Sequence, residues 1–377
     1  MPTSVRIAIM RHYATAAVTT SLIVGAVAAG CGGTTATHNG RPTHDHAPIA
    51  GPAVATHAAP HRHTTRARRS SSPPLIALVT AQTQDRLLAV ALPSGRVVRS
   101  VTVPGSPDYV AAAGLGGPYV VVSAAGWVTL LTGPRLHREI VLHGFGAPHI
   151  PGIVPGGGWA YVTDDARGQL DAIALVRPRV DSRTFVGAGA HHLAFSPDGQ
   201  QVWVALGQSA ATIVILSTIS SRPPPPASPV ADPAHPHIVA RLHLGFLAHD
   251  LMFSPNGQGV WITSASGSAV EVFSARRRRL LFRIPAGPPP QHVVFAGTSA
   301  YITSGYGSQI ERVSIASGRV LARVVAPYGS FDLDAAGRYV VTTSLFRGTI
   351  AIYNRALRLL RIRHIAPSTE DVAITQL

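Results

Sequence analysis

The chain has 377 residues, 46% apolar and 13% charged, with 36 glycines, 31 prolines and one cysteine. That apolar content can fill a large core, and a lone cysteine excludes an intramolecular disulfide framework. The formal net charge is +15. Every basic residue is arginine, dispersed rather than gathered into one patch, so nucleic acid is not an expected partner.

The N-terminal stretch has the plan of a secretory leader. Arg6 and Arg11 form a basic start, a short apolar run follows, and no acid precedes Asp45. The run is too short for a full membrane span. It ends in Val27-Ala-Ala-Gly-Cys31. That ending resembles the bacterial lipoprotein signal, in which small residues precede a cysteine that receives the lipid; the resemblance implies that residues 1–31 are a signal ending at a lipid-accepting Cys31 and that the protein is anchored by lipid outside the cytoplasmic membrane. Residues 32–73 are rich in Thr, His, Ala, Pro and Arg without apolar periodicity, the composition of a disordered tether. They hold His38, His44, His46, His57, His61 and His63, whose two His-x-His pairs could chelate a metal weakly.

From residue 74 the pattern changes to short apolar runs separated by turns. The clearest unit is His191–Val204, HHLAFSPDGQQVWV, repeated at His249–Ile262 as HDLMFSPNGQGVWI. Pro presets φ, Asp or Asn tolerates turn geometry and Gly takes positive φ, so each unit is a β-hairpin. In chain order, strands are expected at 75–79, 87–92, 97–103 and 108–113, then at 119–123, 127–131, 139–142 and 149–154. Strands at 159–163, 170–175, 184–186 and 192–196 lead to 202–205 and 212–216. After a proline-rich insertion at 220–237 come 238–244, 250–254, 260–263, 270–273 and 280–284. The series ends with 292–295, 300–303, 310–315, 320–325, 330–333, 339–343, 349–353, 359–364 and 371–375.

Tyr119, Tyr161, Trp203, Trp261, Tyr301 and Tyr339 recur near the start of a second strand, most of them about 40 residues apart, which is a propeller period. The expected fold for 74–377 is an all-β, seven-bladed β-propeller. It starts on a second strand and ends on a lone first strand, so the two chain ends should complete one blade and close the ring.

Phe195-Ser-Pro-Asp-Gly199 and Phe253-Ser-Pro-Asn-Gly257, with Tyr161-Val-Thr163 and Tyr301-Ile-Thr303, resemble the YVTN-type repeats of bacterial β-propellers. They are similar also to lactonase-like propellers. The resemblance implies the fold, and as one possible activity the hydrolysis of a sugar lactone.

Aligned on the hairpin, the repeats put Asp108, Ile150, His192, Asp250, His292, Ser330 and Asp371 at one position, at a mouth of the central channel. His149, His191 and His249 immediately precede that position. Asp108, His149, His192, Asp250, His292 and Asp371 are thus candidate binding residues. His192, Asp250 and His292, from adjacent blades, are the candidate ligands of a divalent metal. By the period of two along a strand, His191 and His249 should point elsewhere.

Motifs for phosphate binding, Ser-hydrolase or zinc-protease chemistry are absent, and the domain has no thiol. The reading favours a monomeric binding module for a protein or small-molecule ligand over an enzyme. Its alternatives are a lactonase-like hydrolase and a periplasmic metal-handling protein.

Overall fold

The computed structural model describes residues 74–114, 117–133, 135–220 and 230–376. The expected leader, Cys31 and the His-rich tract lie outside the described residues.

Twenty-eight strands form seven four-stranded antiparallel sheets, the seven-bladed β-propeller expected. Blade 1 has the order β28 (Val372–Gln376), β1 (Leu75–Ala81), β2 (Arg86–Ala91), β3 (Arg96–Thr102). Strands β28 and β1 pair antiparallel from Leu75↔Gln376 to Val79↔Val372. The C-terminal strand thus supplies the innermost position that the N-terminal strands lack, and the ring closes as expected.

The remaining blades run in chain order. The innermost strands are β4 (Tyr109–Ala112), β8 (Pro148–Ile153), β12 (Leu193–Phe195), β16 (Ala248–Phe253), β20 (Val293–Ala296) and β24 (Leu333–Ala336). The second strands are β5 (Tyr119–Ala124), β9 (Trp159–Asp164), β13 (Gln201–Ala205), β17 (Gly259–Ser264), β21 (Ser299–Ser304) and β25 (Tyr339–Ser344). In every blade the pairing of third and outermost strands carries a register shift. Such bulges twist an exposed edge away from edge-to-edge pairing.

The apolar clusters lie between blades. Tyr161 and Leu170 of blade 3 pack with Leu193, Val202 and Val214 of blade 4. Trp203 and Ile215 of blade 4 pack with Leu251, Phe253 and Val260 of blade 5. Second-strand aromatics meet the Phe of the next blade's Phe-Ser-Pro or its equivalent: Tyr161 on Phe195 at 5.5 Å, Trp203 on Phe253 at 5.6 Å, Trp261 on Phe295 at 5.4 Å. Aromatic pairs at this separation add roughly 0.5–1.5 kcal/mol beyond area burial. This packing is the reason the motif couples Phe to a later aromatic.

The Ser-Pro-Asp/Asn-Gly turn is held by its own polar groups. Ser196 Oγ donates to Asp198 Oδ1 (2.6 Å) and accepts from Gln201 N (2.9 Å). Ser254 repeats this with Asn256 (2.7 Å) and Gly259 N (2.9 Å). Gly199 and Gly257 both sit at φ +68°, a conformation strained for any residue with a Cβ.

The insertion after β14 (Thr212–Ser217) is a loop, but its base is tied down. Ile219 bridges to Ala231, Asp232 N donates to Thr218 O (2.7 Å), and Tyr161 Oη of blade 3 donates to Pro233 O (2.8 Å). The expectation that all of 220–237 stands apart from the sheets is corrected at its C-terminal end, since β15 (His237–His243) begins there.

Candidate metal centre

In six of the seven blades a hydroxyl on the second strand bonds the backbone at the start of an innermost strand. Thr263 Oγ1 accepts from Asp250 N (2.8 Å) in its own blade and donates to Gln291 O (2.7 Å) of the next. Thr163 does the same with Ile150 N (3.1 Å) and His191 O (2.6 Å), and Thr80 with Asp371 N (2.9 Å) and Asp108 O (2.8 Å). Thr303 joins His292 N to Phe331 O, Ser123 donates to His149 O, and Thr343 donates to Glu370 O. Ala205 stands in for the hydroxyl in blade 4.

The residue after each of these six carbonyls occupies one common position, and Asp250 joins it because its amide bonds Thr263 as the amides of Ile150, His292 and Asp371 bond their own hydroxyls. That ring reads Tyr109, Ile150, His192, Asp250, His292, Asp332 and Asp371. Two members of the expected ring are corrected: Tyr109 replaces Asp108, and Asp332 replaces Ser330. For Asp332 the cause lies in the aromatic marker. Tyr339 opens β25 opposite Ala336, as Ser299 opens β21 opposite Ala296. Tyr339 therefore matches Ser299, not Tyr301, and aligning on the aromatics slips the register by two. Asp108, displaced from the ring, accepts from Gln82 Nε2 at 2.5 Å, and burial pushes its carboxyl up to about 7.

His192, Asp250 and His292 do come together. The His192–His292 ring centroids are 4.9 Å apart. Asp250 sits between them, with His192 Nδ1 3.2 Å from Oδ1 and His292 Nδ1 3.6 Å from Oδ2. Asp250 Oδ2 also accepts from Val293 N (3.0 Å). Asp371 makes the matching bond to Val110 N (2.8 Å). These two acids staple adjacent blades as well as facing the mouth.

His191 and His249 are not turned away as the strand period suggests. His191 lies 4.8 Å from His192, and His249 lies 4.9 Å from His192 and 5.3 Å from His292, centroid to centroid. His191 precedes the first residue of β12, so no strand alternation applies to it. At His249 the pairing of β16 with β17 shifts between Ala248 and Leu251. A bulge adds a residue and re-aims side chains. Gly207 makes room, since a Cβ there would meet His191 Cβ at 2.9 Å and its ring at 3.0 Å.

Five imidazoles thus crowd one mouth. His149 stacks on His191 at 3.9 Å, and Tyr109 meets the edge of His149 at 4.3 Å. Two sets of three, His149/His191/His192 and His192/His249/His292, each offer ligand atoms within 4.8 Å of one another. His192 is buried, and the other four are half-buried.

The electrostatics divide the cluster. Burial, then the neighbouring rings, hold His149, His192 and His249 well below the ordinary imidazole value, so they are neutral at pH 7. Burial would push His292 down too, but Asp332 and Asp250 outweigh it and raise it to about 10. His292 Nε2 lies 2.8 Å from Asp332 Oδ1. Burial raises Asp250, opposed by His292 and the Val293 amide.

Carboxylates fix which nitrogens are available. His192 Nδ1 faces Asp250, and His191 Nδ1 faces Asp165 Oδ2 at 2.9 Å. A carboxylate accepts, so each Nδ1 carries a hydrogen, and the neutral His192 keeps its lone pair on Nε2. Buried His149 Nε2 and His192 Nε2 have no hydrogen-bond partner among the described residues. A carboxylate behind the far nitrogen is the usual support of a metal-binding imidazole.

No protein-family model matches the chain, and no curated protein matches its sequence. Solved structures do. A candidate 6-phosphogluconolactonase from Bacteroides uniformis superposes with TM-score 0.66 at 15% identity, covering 80% of this chain and 100% of that one. A protein of unknown function from Desulfotomaculum acetoxidans gives 0.65 at 12%, covering 80% and 99%. Apo AztD from Citrobacter koseri gives 0.58 at 10%, covering 80% and 98%. At such identities the likeness is one of fold.

Proposed function

We propose that this protein binds a divalent transition-metal ion in the histidine mouth of its propeller and handles metal outside the cytoplasmic membrane, held there by lipid on Cys31. The carrying observation is the pair of buried, unpartnered Nε2 atoms of His149 and His192. Leaving a buried acceptor unpaired costs about 1–3 kcal/mol per group. A shared cation gives both lone pairs a partner.

Imidazole donors suit Zn²⁺, Cu²⁺ and Ni²⁺ and disfavour Mg²⁺ and Ca²⁺, which take oxygen ligands. His149, His191 and His192 would hold the ion, with His249 near enough to His192 to complete a shell. Four protein donors leave no open position for a reacting water, which favours carriage over catalysis. Comparison with AztD, whose structure is of an apo form, is consistent with a propeller that holds and loses a ligand. A lactonase-like hydrolase rests on the resemblance of repeats and fold alone.

The test is calorimetric titration of the full chain, with the six histidines of residues 32–73 replaced by alanine to remove weak chelation there. One Zn²⁺ per chain, with no heat from Mg²⁺ or Ca²⁺, is expected. No Zn²⁺ binding by folded protein would overturn the proposal. For location, Cys31→Ser should move the protein from the membrane fraction to the soluble one, and unchanged fractionation would remove lipid as the anchor.

A further inference from the structure

We infer that the propeller face opposite the histidine mouth docks on an anionic bilayer surface, which leaves the mouth pointing away from the membrane. The inference does not depend on the metal reading.

The arginines are dispersed along the sequence, but the topology gathers them. Each innermost strand starts at the mouth, so in an antiparallel blade the turn between third and outermost strands lies at the opposite face. In six blades that turn, or the residue just after it, carries an exposed arginine: Arg96, Arg135, Arg177, Arg276, Arg319 and Arg358. In blade 5 all of Arg276–Arg279 are exposed, and Arg338 joins them from the turn between β24 and β25. Among the described residues, Arg179 is the one arginine of this face with an ion-pair partner, Asp181. Acids gather at the other end, where Asp108, Asp165, Asp250, Asp332 and Asp371 surround the mouth. Strands of six residues hold the two faces roughly 20 Å apart.

Three observations favour a bilayer over a soluble polyanion. The first is where the chain enters. Leu75, the first residue of β1, pairs with Gln376, the last residue of innermost β28, and so lies at the basic face. Leu75 O accepts from Leu92 N (3.1 Å), and a Cβ on Gly337, next to Arg338, would meet Leu75 Cδ1 at 2.6 Å. Residues 1–73 therefore join the propeller among these arginines, and an N-terminus held at a membrane would present this face to it. Second, apolar side chains stand exposed beside the arginines: Val176 next to Arg177 at 74%, Leu280 next to Arg279 at 37% and Leu359 next to Arg358 at 53%. Such side chains enter the boundary between headgroups and acyl chains. Third, the charge is spread around the ring rather than along one groove, which suits a plane better than a strand.

The probe is a vesicle of phosphatidylcholine with about one-third phosphatidylglycerol, set against phosphatidylcholine alone. The protein is the full chain with Cys31→Ser, so lipid cannot hold it, and the leader contributes equally in every variant. Co-sedimentation should show binding to the anionic vesicles that weakens as salt shortens the Debye length. Each arginine near such a surface strengthens binding roughly fivefold. Arg276→Gln, Arg277→Gln, Arg319→Gln and Arg358→Gln together should therefore weaken binding by roughly 50-fold or more. Lysine at the same four positions should keep it within a few-fold. Arg86→Gln, Arg99→Gln, Arg347→Gln and Arg361→Gln together remove the same charge away from that face and should weaken binding by less than about fivefold. All eight side chains are exposed, so every variant should fold.

Equal losses in the two glutamine variants would reduce the effect to net charge and overturn the inference, as would equal binding to both kinds of vesicle. Tighter binding to soluble polyphosphate than to vesicles would overturn it in favour of a polymer. Self-association without vesicles, abolished by the first four substitutions, would overturn it in favour of the acidic mouth of a second copy.

Discussion

His192 Nδ1 lies 3.2 Å from Asp250 Oδ1, across the boundary between blades 4 and 5. The same carboxylate accepts the amide of Val293 in blade 6. One acid therefore orients an imidazole and ties its blade to the next. Asp250→Asn should keep the fold, because the amide oxygen can still accept from Val293. It should weaken Zn²⁺ binding by roughly 10- to 100-fold by removing the carboxylate behind His192. Calorimetry on the variant measures this, and wild-type affinity would separate Asp250 from the site.

The Thr263 hydroxyl serves two buried backbone groups in adjacent blades, Asp250 N and Gln291 O. Thr263→Val keeps the shape and strands both groups. A loss of roughly 2–6 kcal/mol is expected at 1–3 kcal/mol per unsatisfied group. Urea unfolding measures it, and a change below about 0.5 kcal/mol would show that water replaces the hydroxyl.

Two deletions should differ sharply. Removing residues 371–376 takes away β28, uncovers the buried edge of β1 and exposes the face that Val372 and Ile374 fill. That chain should fail to fold cooperatively. Replacing residues 221–229 by a short Gly-Ser linker leaves the Ile219–Ala231 bridge in place and should cost less than about 1 kcal/mol. Equal melting temperatures for the two proteins would refute closure by the chain ends.

Asp171 predicts a pH dependence away from the metal centre. It is fully buried, neither oxygen has a hydrogen-bond partner among the described residues, and Arg183 Nε stands 3.6 Å away. Burial raises its carboxyl from 3.8 to about 6 despite the arginine. Between those values the folded chain binds more protons than the unfolded one, so this residue makes stability fall as pH rises from about 4 to 6 and leaves it lower above that. The loss is on the order of 3 kcal/mol, at 1.36 kcal/mol per pKa unit. Asp171→Asn should abolish it, giving a variant more stable than wild type at pH 8 and close to it at pH 4. Parallel melting curves across that range would remove the assignment.

The propeller was legible because its causes are local and repeated. Ser-Pro-Asp-Gly with a following Trp builds one hairpin wherever it occurs, and the 40-residue spacing counts the blades. The lone first strand at 371–375 implied ring closure, since an unpaired strand and an open sheet edge complete each other. His192 and His292 could be placed together because both hang from hairpins of equivalent register.

Tertiary structure decided what depends on departures from the repeat. The bulge between Ala248 and Leu251 turns His249 into the cluster, and no composition or period announces it. Asp332 was obscured because Tyr339 and Tyr301 occupy strand positions two residues apart. A steadier guide was present in the second-strand hydroxyls, each 11 or 13 residues after its own ring residue at Thr303, Thr263 and Thr163. Periodicity sets which strand a histidine belongs to. Whether five imidazoles share one mouth depends on angstrom-scale shifts between blades, and those are set by packing across the ring.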